Sequence, residues 1–433
     1  MQRAHAGDPY CVIGAGSSGL VVAKTLRQQQ IPVEVLERED DVGGNWYYGR
    51  PHSSVYKSTH LLSSKRMTQF PDFPMPDDYP DYPGQRQVWE YLRSYARHFG
   101  LYDVIRFGTV VERVEPDGDG WQVRLADGST RHYAGLVIAN GHLWDPKYPN
   151  YPGHFDGVSL HSGQYKTPEV LAGQRVLVVG AGNSGCDLAV ESAQHAEATF
   201  HSTRRGYHYM PKYFWGLPAD VLNERMLRWR VPLWLRRRIA SLLAKMVMGL
   251  PQDYGLPRPD HRLLESHPIV NSQMLYYVGH GEIRVKPDVA ELCGREVRFK
   301  DGTIETIDVV IYCTGFNISF PFIDQAHLNW KDGRPDLYLN VFHPTRDNLF
   351  VAGLIQPDSG QFWIVDYQAR AIARFIRSQQ EAPSRAAAFR GEKAASRPDL
   401  GHGIHYLDST RHLLEIEHFS YRRRIERVIA ALS

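Results

Sequence analysis

The chain has 433 residues, enough for two or three domains with full-sized cores. With 42% hydrophobic and 23% charged residues and a formal net charge of +2, it has the composition of a globular protein and lacks the concentrated basic excess of a nucleic-acid-binding surface. No apolar run reaches the ~18 residues of a membrane span, and no apolar signal region opens the sequence, so a cytoplasmic location is expected. The four cysteines, Cys11, Cys186, Cys293 and Cys313, form no C-x-x-C, which leaves no local zinc or dithiol redox centre and agrees with a reducing compartment. Aromatic residues make up 12%, with 24 Tyr, a supply that suits flat ligands and a Tyr-rich core equally well.

Cys11-Val-Ile-Gly14-Ala-Gly16-Ser17-Ser-Gly19 is an apolar strand running into G-x-G-x-x-G, followed by a helical pattern over 20–26. Such a turn aims backbone N–H groups from a helix N-terminus, which suits a pyrophosphate, and its glycines permit close approach. Residues 32–37 form a second strand ending at Glu37, 23 residues after Gly14, about where an acid meets a ribose hydroxyl. The pair Gly43-Gly44 before Asn45 and Trp46 lets the chain pass closely over a cofactor. Residues 51–84 are rich in Pro, Ser, Asp and Tyr and are expected to be irregular. Val88, Tyr91, Leu92, Tyr95 and Phe99 recur at helical steps, with Gly100 as the stop. Strands follow at 109–114 and 121–125, and a buried strand at 136–139 ends at Asn140-Gly141.

The plan then repeats. Val176-Leu-Val-Val-Gly180-Ala-Gly182-Asn183-Ser184-Gly185 is a second strand–turn–helix fingerprint, 296–299 a second β excursion, and 309–312 a second buried strand ending at Cys313-Thr314-Gly315. Residues 348–353 read as a returning strand of the first unit, and 367–376 as a helix whose N-terminus faces a ring system. The expected fold class is therefore α/β, with two Rossmann-like dinucleotide-binding domains, the second inserted in the first. Residues 1–160 and 325–433 would form one domain, and 170–315 the other, interrupted by a helical insertion at about 206–275.

The two copies differ where the acid should be. Counting 23 residues from Gly180 reaches Thr203, within Ser202-Thr203-Arg204-Arg205. An acid there would repel a 2′-phosphate, whereas arginines hydrogen-bond to one. The first unit thus suits FAD and the second NADPH, with NADH as a further accepted coenzyme left open. No i, i+4 histidine pair lies beside a suitable acid among the 20 His, so no metal site is expected.

Phe155-Asp-Gly157-Val-Ser-Leu-His161-Ser-Gly-Gln-Tyr165-Lys166 is similar to the identifying motif F-x-G-x-x-x-H-x-x-x-[YF]-[KR] of the flavin-containing monooxygenase family. Three further stretches resemble that family: Phe70-Pro-Asp-Phe-Pro-Met-Pro-Asp-Asp78, Ser202-Thr-Arg-Arg-Gly206, and Cys313-Thr-Gly-Phe316 in place of A-T-G-Y. The resemblance implies that NADPH reduces FAD, that O₂ adds to the reduced flavin, and that the C4a-(hydro)peroxide oxygenates a soft N or S atom of a small substrate such as an amine or sulfide. It also implies a homodimer. The expected FAD site comprises Gly14, Gly16, Ser17, Gly19, Glu37, Arg38, Gly44, Asn45, Trp46, His60, Val111, Ala139 and Gln356. The expected NADP site comprises Gly180, Gly182, Asn183, Ser184, Gly185, Ser202, Thr203, Arg204, Arg205, Thr314 and Gly315. His161 is expected in a linker that couples domain position to nucleotide binding.

One departure from the family stands out. The family commonly reads S-N-x-x-K, its Asn lying near flavin and nicotinamide, where this chain has Leu61-Leu62-Ser63-Ser64-Lys65. Leu62 cannot hydrogen-bond. Either His60 or another side chain takes the polar role, or the peroxide is poorly protected and the protein acts as an NADPH oxidase releasing hydrogen peroxide. Baeyer–Villiger oxygenation of ketones is the other alternative. A flavin disulfide reductase is disfavoured because residues 38–60 contain no Cys. A non-catalytic NADPH-binding protein would purify without a yellow cofactor. Residues 222–250 set Arg225, Arg228, Arg230, Arg236, Arg237, Arg238 and Lys245 among apolar residues, reading as helices broken around Pro232. A lid over the substrate channel, with its arginines in water, is the favoured expectation, and a peripheral contact with an anionic membrane surface the competing one.

Overall fold

Both glycine turns lie between a parallel strand and a helix in the computed structural model, which describes residues 8–433. Tyr10–Ile13 pairs with Val33–Leu36 on one side and Gly135–Ile138 on the other. Ile105–Arg106 and Leu349–Val351 complete this five-stranded sheet, every pairing being parallel. Strands buried on both faces read as unbroken apolar runs, which is why Leu136-Val-Ile138 carries no alternation. Helices Ser17–Gln28 and Phe362–Glu381 pack on one face, with Gln85–His98 and His418–Leu432 in the same core. The other face meets a three-stranded meander, Val111–Asp117, Gly120–Leu125 and Thr130–Tyr133, through Trp121, Val123 and Tyr133.

The second unit copies this design. Arg175–Val179 pairs with Ala198–Ser202 and Val309–Tyr312, and the meander is Val289–Gly294, Glu296–Phe299 and Ile304–Thr306. The outermost strand differs between the copies. In the first sheet it is Leu349–Val351, from beyond the inserted unit, and in the second it is Val158–His161, from before that unit's glycine turn. The chain enters the second body even earlier, because Gly153–Phe155 pairs with Val289–Gly294. His161 is thus not in a free linker but ends an edge strand, fully buried.

Among the differences from the sequence reading are one strand of the meander and one helix boundary. Thr130–Tyr133 buries only Tyr133 fully, so it offers little apolar periodicity. Helix Phe362–Glu381 begins five residues before the expected start at 367, because Phe362, Ile364, Val365 and Asp366 are buried around most of its circumference. Buried Asp366 within it and the exposed Asp72 both accept from Lys24 Nζ, at 2.9 and 2.8 Å, and the first of these bonds fastens the first helix to the returning one.

The insertion holds helices Ala219–Arg228 and Leu233–Met248, separated at Val231-Pro232 because proline donates no N–H and its φ is fixed. A buried ion triad joins it to the first unit. The His418 ring, at the start of the last helix, donates from Nδ1 to Asp358 Oδ1 (2.6 Å) and from Nε2 to Glu224 Oε2 (2.9 Å). Two carboxylate acceptors require both ring nitrogens protonated. Burial opposes that charge, but Asp358 and Glu224 overcome it and raise the His418 pKa to about 10. Burial likewise opposes the Asp358 charge, and His418 outweighs it, lowering that carboxyl to about 2.

A raised histidine pKa contributes stability that is complete below its unfolded value of about 6.5 and is lost as pH climbs through about 10. The depressed Asp358 contributes stability that is present above its ordinary value and lost as pH falls through about 2. His418→Gln, which strands two buried carboxylates, is expected to cost on the order of 3–5 kcal/mol at pH 7. Urea unfolding of both proteins from pH 7 to 10 should show that difference shrinking, and a pH-independent difference would refute the charged triad.

Candidate active site

The site is built from what the glycines leave out. A Cβ on Gly19 would stand 1.8 Å from Gly14 O, and one on Gly185 would stand 1.8 Å from Gly180 O. These residues therefore pack each helix against its own turn and do not face the cavity. Gly14 and Gly180 have φ of +103° and +108°, where a side chain would meet Ala139 O at 2.8 Å and Cys313 O at 2.5 Å. The helices that follow begin at Gly16 and Gly182 with no side-chain cap and no acid in the first turn. Their first N–H groups are thus left for a ligand, as a pyrophosphate requires.

Both turns open on one cavity of about 1440 Å³. From the first unit it is lined by Gly14, Gly16, Ser17, Glu37, Arg38, Gly44, Asn45, Trp46, His60, Leu62, Val111, Ala139 and Gln356. From the second it is lined by Gly180, Gly182, Asn183, Ser184, Ser202, Thr203, Arg204, Arg205, Thr314 and Gly315. Every expected site residue is thus brought to this space except the packing glycines Gly19 and Gly185.

Glu37 is buried, with its carboxylate accepting from the amides of Ala15 (2.5 Å) and Glu39 (2.9 Å). Burial raises its pKa, and those amides oppose the rise. Asn45 is likewise fixed, its Oδ1 accepting from the amide (2.7 Å) and hydroxyl (2.8 Å) of Ser54. In the second unit, Ser202 Oγ donates to Pro287 O (2.8 Å) and Thr203 Oγ1 to Arg205 O (2.7 Å). With both hydroxyl protons engaged, the charged donors left are Arg204, which is exposed, and Arg205, which also pairs with Asp260 at 3.5 Å. His161 Nδ1 accepts from the Gly163 amide (3.1 Å), so Nε2 carries the proton and donates to Gly315 O (3.0 Å). Burial lowers its pKa, the Gly315 bond opposing, so the ring is neutral at pH 7 and fixes the loop after Val309–Tyr312. Lys166, beside it in the motif, donates to Ser53 O (2.6 Å), Val55 O (3.2 Å) and Gly163 O (2.7 Å), pinning the first unit's loop to the second.

His60 and Leu62 share one loop. His60 Nδ1 donates to Ser58 O (2.7 Å) and its ring is exposed to the cavity, while Leu62 is 37% exposed. Lys65 donates to the carbonyls of Pro76 (3.0 Å), Asp77 (3.0 Å) and Tyr79 (2.6 Å), so its role is to hold this loop. The Ser64 amide donates to Asp220 Oδ2 (2.6 Å) from the insertion.

Asp187 and Asp220 line the cavity without being expected from the sequence, and so does Arg236, which the sequence reading placed in water. Asp187 accepts from Asn271 Nδ2 (2.6 Å), and burial raises its pKa against that bond. Its place one turn past Gly182, within Gly185-Cys-Asp, was the available signal. Burial also raises Asp220, against the Ser64 amide. Arg236 corrects the expectation of a lid with its arginines in water, being only 3% exposed. It shares with Ala240 and Leu243 the stripe of Leu233–Met248 that faces the cavity, while Trp234, Arg238, Leu242, Lys245 and Met246 face outward.

A family model described as flavin-binding monooxygenase-like matches residues 9–430. The chain is 34% identical over 431 residues to flavin-containing monooxygenase 5 of Rattus norvegicus, covering 93% of this chain and 79% of that one. It is 32% identical over 406 residues to flavin-containing monooxygenase 3 of Homo sapiens, covering 87% and 75%. Among solved structures, an oxidised steroid monooxygenase bound to NADP aligns with a TM-score of 0.72 at 19% identity, covering 98% of each chain, and so shares the fold. A flavin-containing monooxygenase from Stenotrophomonas maltophilia aligns at 0.66 with 23% identity, covering 86% of this chain and 98% of that one. The protein is accordingly a flavin-dependent monooxygenase whose cofactors are FAD and NADPH, with O₂ as co-substrate. By sequence match over nearly its whole length and by the architecture of its paired glycine turns, the chain belongs to the flavin-binding monooxygenase-like family.

Proposed function

We propose that this protein transfers one atom of O₂ to a soft N or S atom of small molecules such as amines and sulfides, through a flavin C4a-(hydro)peroxide formed after reduction by NADPH. The observation that carries this reading is that two uncapped helix N-termini open on one cavity, so that two dinucleotides can meet in the same space. FAD would lie along Gly14, Gly16, Ser17, Glu37, Arg38, Gly44, Asn45 and Trp46, with His60, Val111, Ala139 and Gln356 nearby. NADPH would lie along Gly180, Gly182, Asn183 and Ser184, its 2′-phosphate at Arg204 and Arg205 and its far end toward Thr314 and Gly315. The corresponding domains are those expected, 1–160 with 325–433 and 170–315, except that strands within 153–161 pair with the second unit and that residues 1–7 lie outside the described ones. Leu222, Met226, Leu243 and Leu263 of the insertion line the cavity and would exclude water.

Leu62 supports a second reading, in which the oxygenating species is short-lived and peroxide is released, because the position presents a hydrocarbon to the cavity. His60, two residues before it, also lines the cavity and has its Nε2 unengaged. Four free cysteines suit a cytoplasmic setting, and a homodimer remains the assembly we infer from the family resemblance. No helix among the described residues is long and apolar enough to cross a membrane. The insertion nevertheless exposes Trp229, Trp234, Leu242 and Met246 beside Arg230, Arg238 and Lys245, which supports peripheral contact with an anionic bilayer.

Anaerobic reduction by NADPH followed by mixing with O₂ should show the absorbance band of a C4a-hydroperoxyflavin, and a sulfide should shorten its lifetime with formation of sulfoxide. Immediate return to oxidised flavin with stoichiometric peroxide would sink the oxygenation reading. Leu62→Asn is expected to lengthen the lifetime and lower peroxide yield. A matched assay with a cyclic ketone distinguishes Baeyer–Villiger chemistry. Arg204→Ala should raise KM for NADPH roughly tenfold while leaving NADH nearly unchanged, and equal effects on both coenzymes would dismiss the 2′-phosphate assignment. Cosedimentation with phosphatidylserine vesicles, but not phosphatidylcholine vesicles, tests the surface contact, and Trp234→Ser should weaken it.

A further inference from the structure

Arg236 is the guanidinium of helix Leu233–Met248 that lines the cavity, whereas its largely buried neighbour Arg237 pairs with Glu265 (3.4 Å). It is 3% exposed, lines the cavity, and its Nε has no hydrogen-bond partner. Its single contact is a long one, from Nη1 to Asn223 Oδ1 at 3.4 Å, and among the described residues it has no ion pair. A buried charge is ordinarily paired, because the solvation it gives up must be replaced by a partner. Two acids of this region hold other partners, with Asp358 Oδ2 accepting only a long bond from Asn223 Nδ2 (3.5 Å). Asp358, whose carboxyl feels the Arg236 charge, accepts from both the amide (2.9 Å) and Nδ1 (2.6 Å) of His418. Glu224 accepts from His418 Nε2 (2.9 Å) and from Arg228 Nε (2.8 Å). The imidazolium thus pairs with Glu224 behind the cavity wall and with Asp358 on it, and Arg236 is left at the surface without an ion pair of its own.

Leu222, Met226, Ala240, Leu243 and Leu263 give this end of the cavity an apolar wall, beside which stand Asn223, His267 and Asp358. A planar fork of donors on an apolar wall is the complement of a carboxylate carried by a hydrocarbon body. We propose that the substrates of this enzyme are organic carboxylates with an apolar body, and that Arg236 receives the carboxylate while the soft atom at the other end reaches the flavin side. This rests on the reading of the cavity as the oxygenation site, and it narrows the substrate class.

The test measures binding without turnover. Oxidised, FAD-loaded enzyme with saturating NADP⁺ is titrated calorimetrically with 4-(methylsulfanyl)benzoate and with its neutral isostere 4-(methylsulfanyl)benzamide. The benzoate should bind roughly 10- to 100-fold more tightly, the range for a charged hydrogen-bonded pair. Arg236→Met, of similar length, should abolish that preference, and Arg236→Lys, which keeps the charge without the fork, should retain part of it. Equal affinities in the wild type, or an equal loss of both ligands in the Met variant, would overturn the proposal. So would a fall in NADP⁺ affinity with the benzoate preference intact, which would reassign Arg236 to the coenzyme. If the Met variant fails to fold, the wild-type preference and its reduction in the Lys variant decide. Carboxylate preference without sulfoxide formation in aerobic turnover would sink the oxygenation reading and still support this one.

Discussion

The absence of a side chain at Gly19 and Gly185 is the constraint on which the rest of the molecule depends. Each lets a helix sit against the carbonyl of its own turn, so that the helix N-terminus opens on the cavity. A methyl group there would push the helix away by more than the packing of the sheet could absorb. Because both turns obey the same rule, two sets of unpartnered N–H groups open on one space, and everything else in the fold serves to shape that space. The motif between residues 155 and 166 belongs to this arrangement: His161 holds the loop at Gly315, Lys166 holds the loop at Ser53 and Val55, and one short segment therefore touches both units.

Charge is managed by a different device. The insertion brings Glu224 and Asp220 inward, and the first unit brings Asp358. Asp220 is satisfied by the Ser64 amide, and the other two by one histidine placed at the start of the last helix. The loop that carries Leu62 and the helix that carries Arg236 are thus positioned by buried polar contacts, while the surface they show the cavity is mainly apolar. Such a wall suits chemistry in which bulk water competes with the desired reaction.

Sequence patterns carried the local features well. The two fingerprints, the helix Gln85–His98 and the break at Pro232 each depend on residues close together in the chain, and each was readable. The contrast between Glu37 and the Arg204-Arg205 pair was readable too, because a fixed count from each turn leads to it. What escaped depends on partners distant in sequence. Val158–His161 is a strand only because Val309–Tyr312 lies beside it. Helix Phe362–Glu381 hid its first turn by being buried on several sides, which erases the amphipathic period. Asp187, Asp220 and Arg236 are ordinary polar residues in helical patterns. Which face of each helix meets the cavity is set by tertiary packing, and Arg236 differs from Arg237 and Arg238 only in that respect.

The origin of the outer strands has a consequence for how the two halves hold together. The first sheet is closed by a strand that returns from beyond the insertion, and the second by a strand that precedes its own glycine turn. A cut at the boundaries that the glycine turns suggest would strip Val158–His161 from the second sheet and bare Val309–Tyr312, a buried four-residue apolar strand, as an open edge. Open edges of that kind recruit foreign strands. The duplication that is so plain in the sequence therefore does not divide at its glycine turns: the second unit needs residues that precede its own fingerprint, and the first needs residues that follow the insertion.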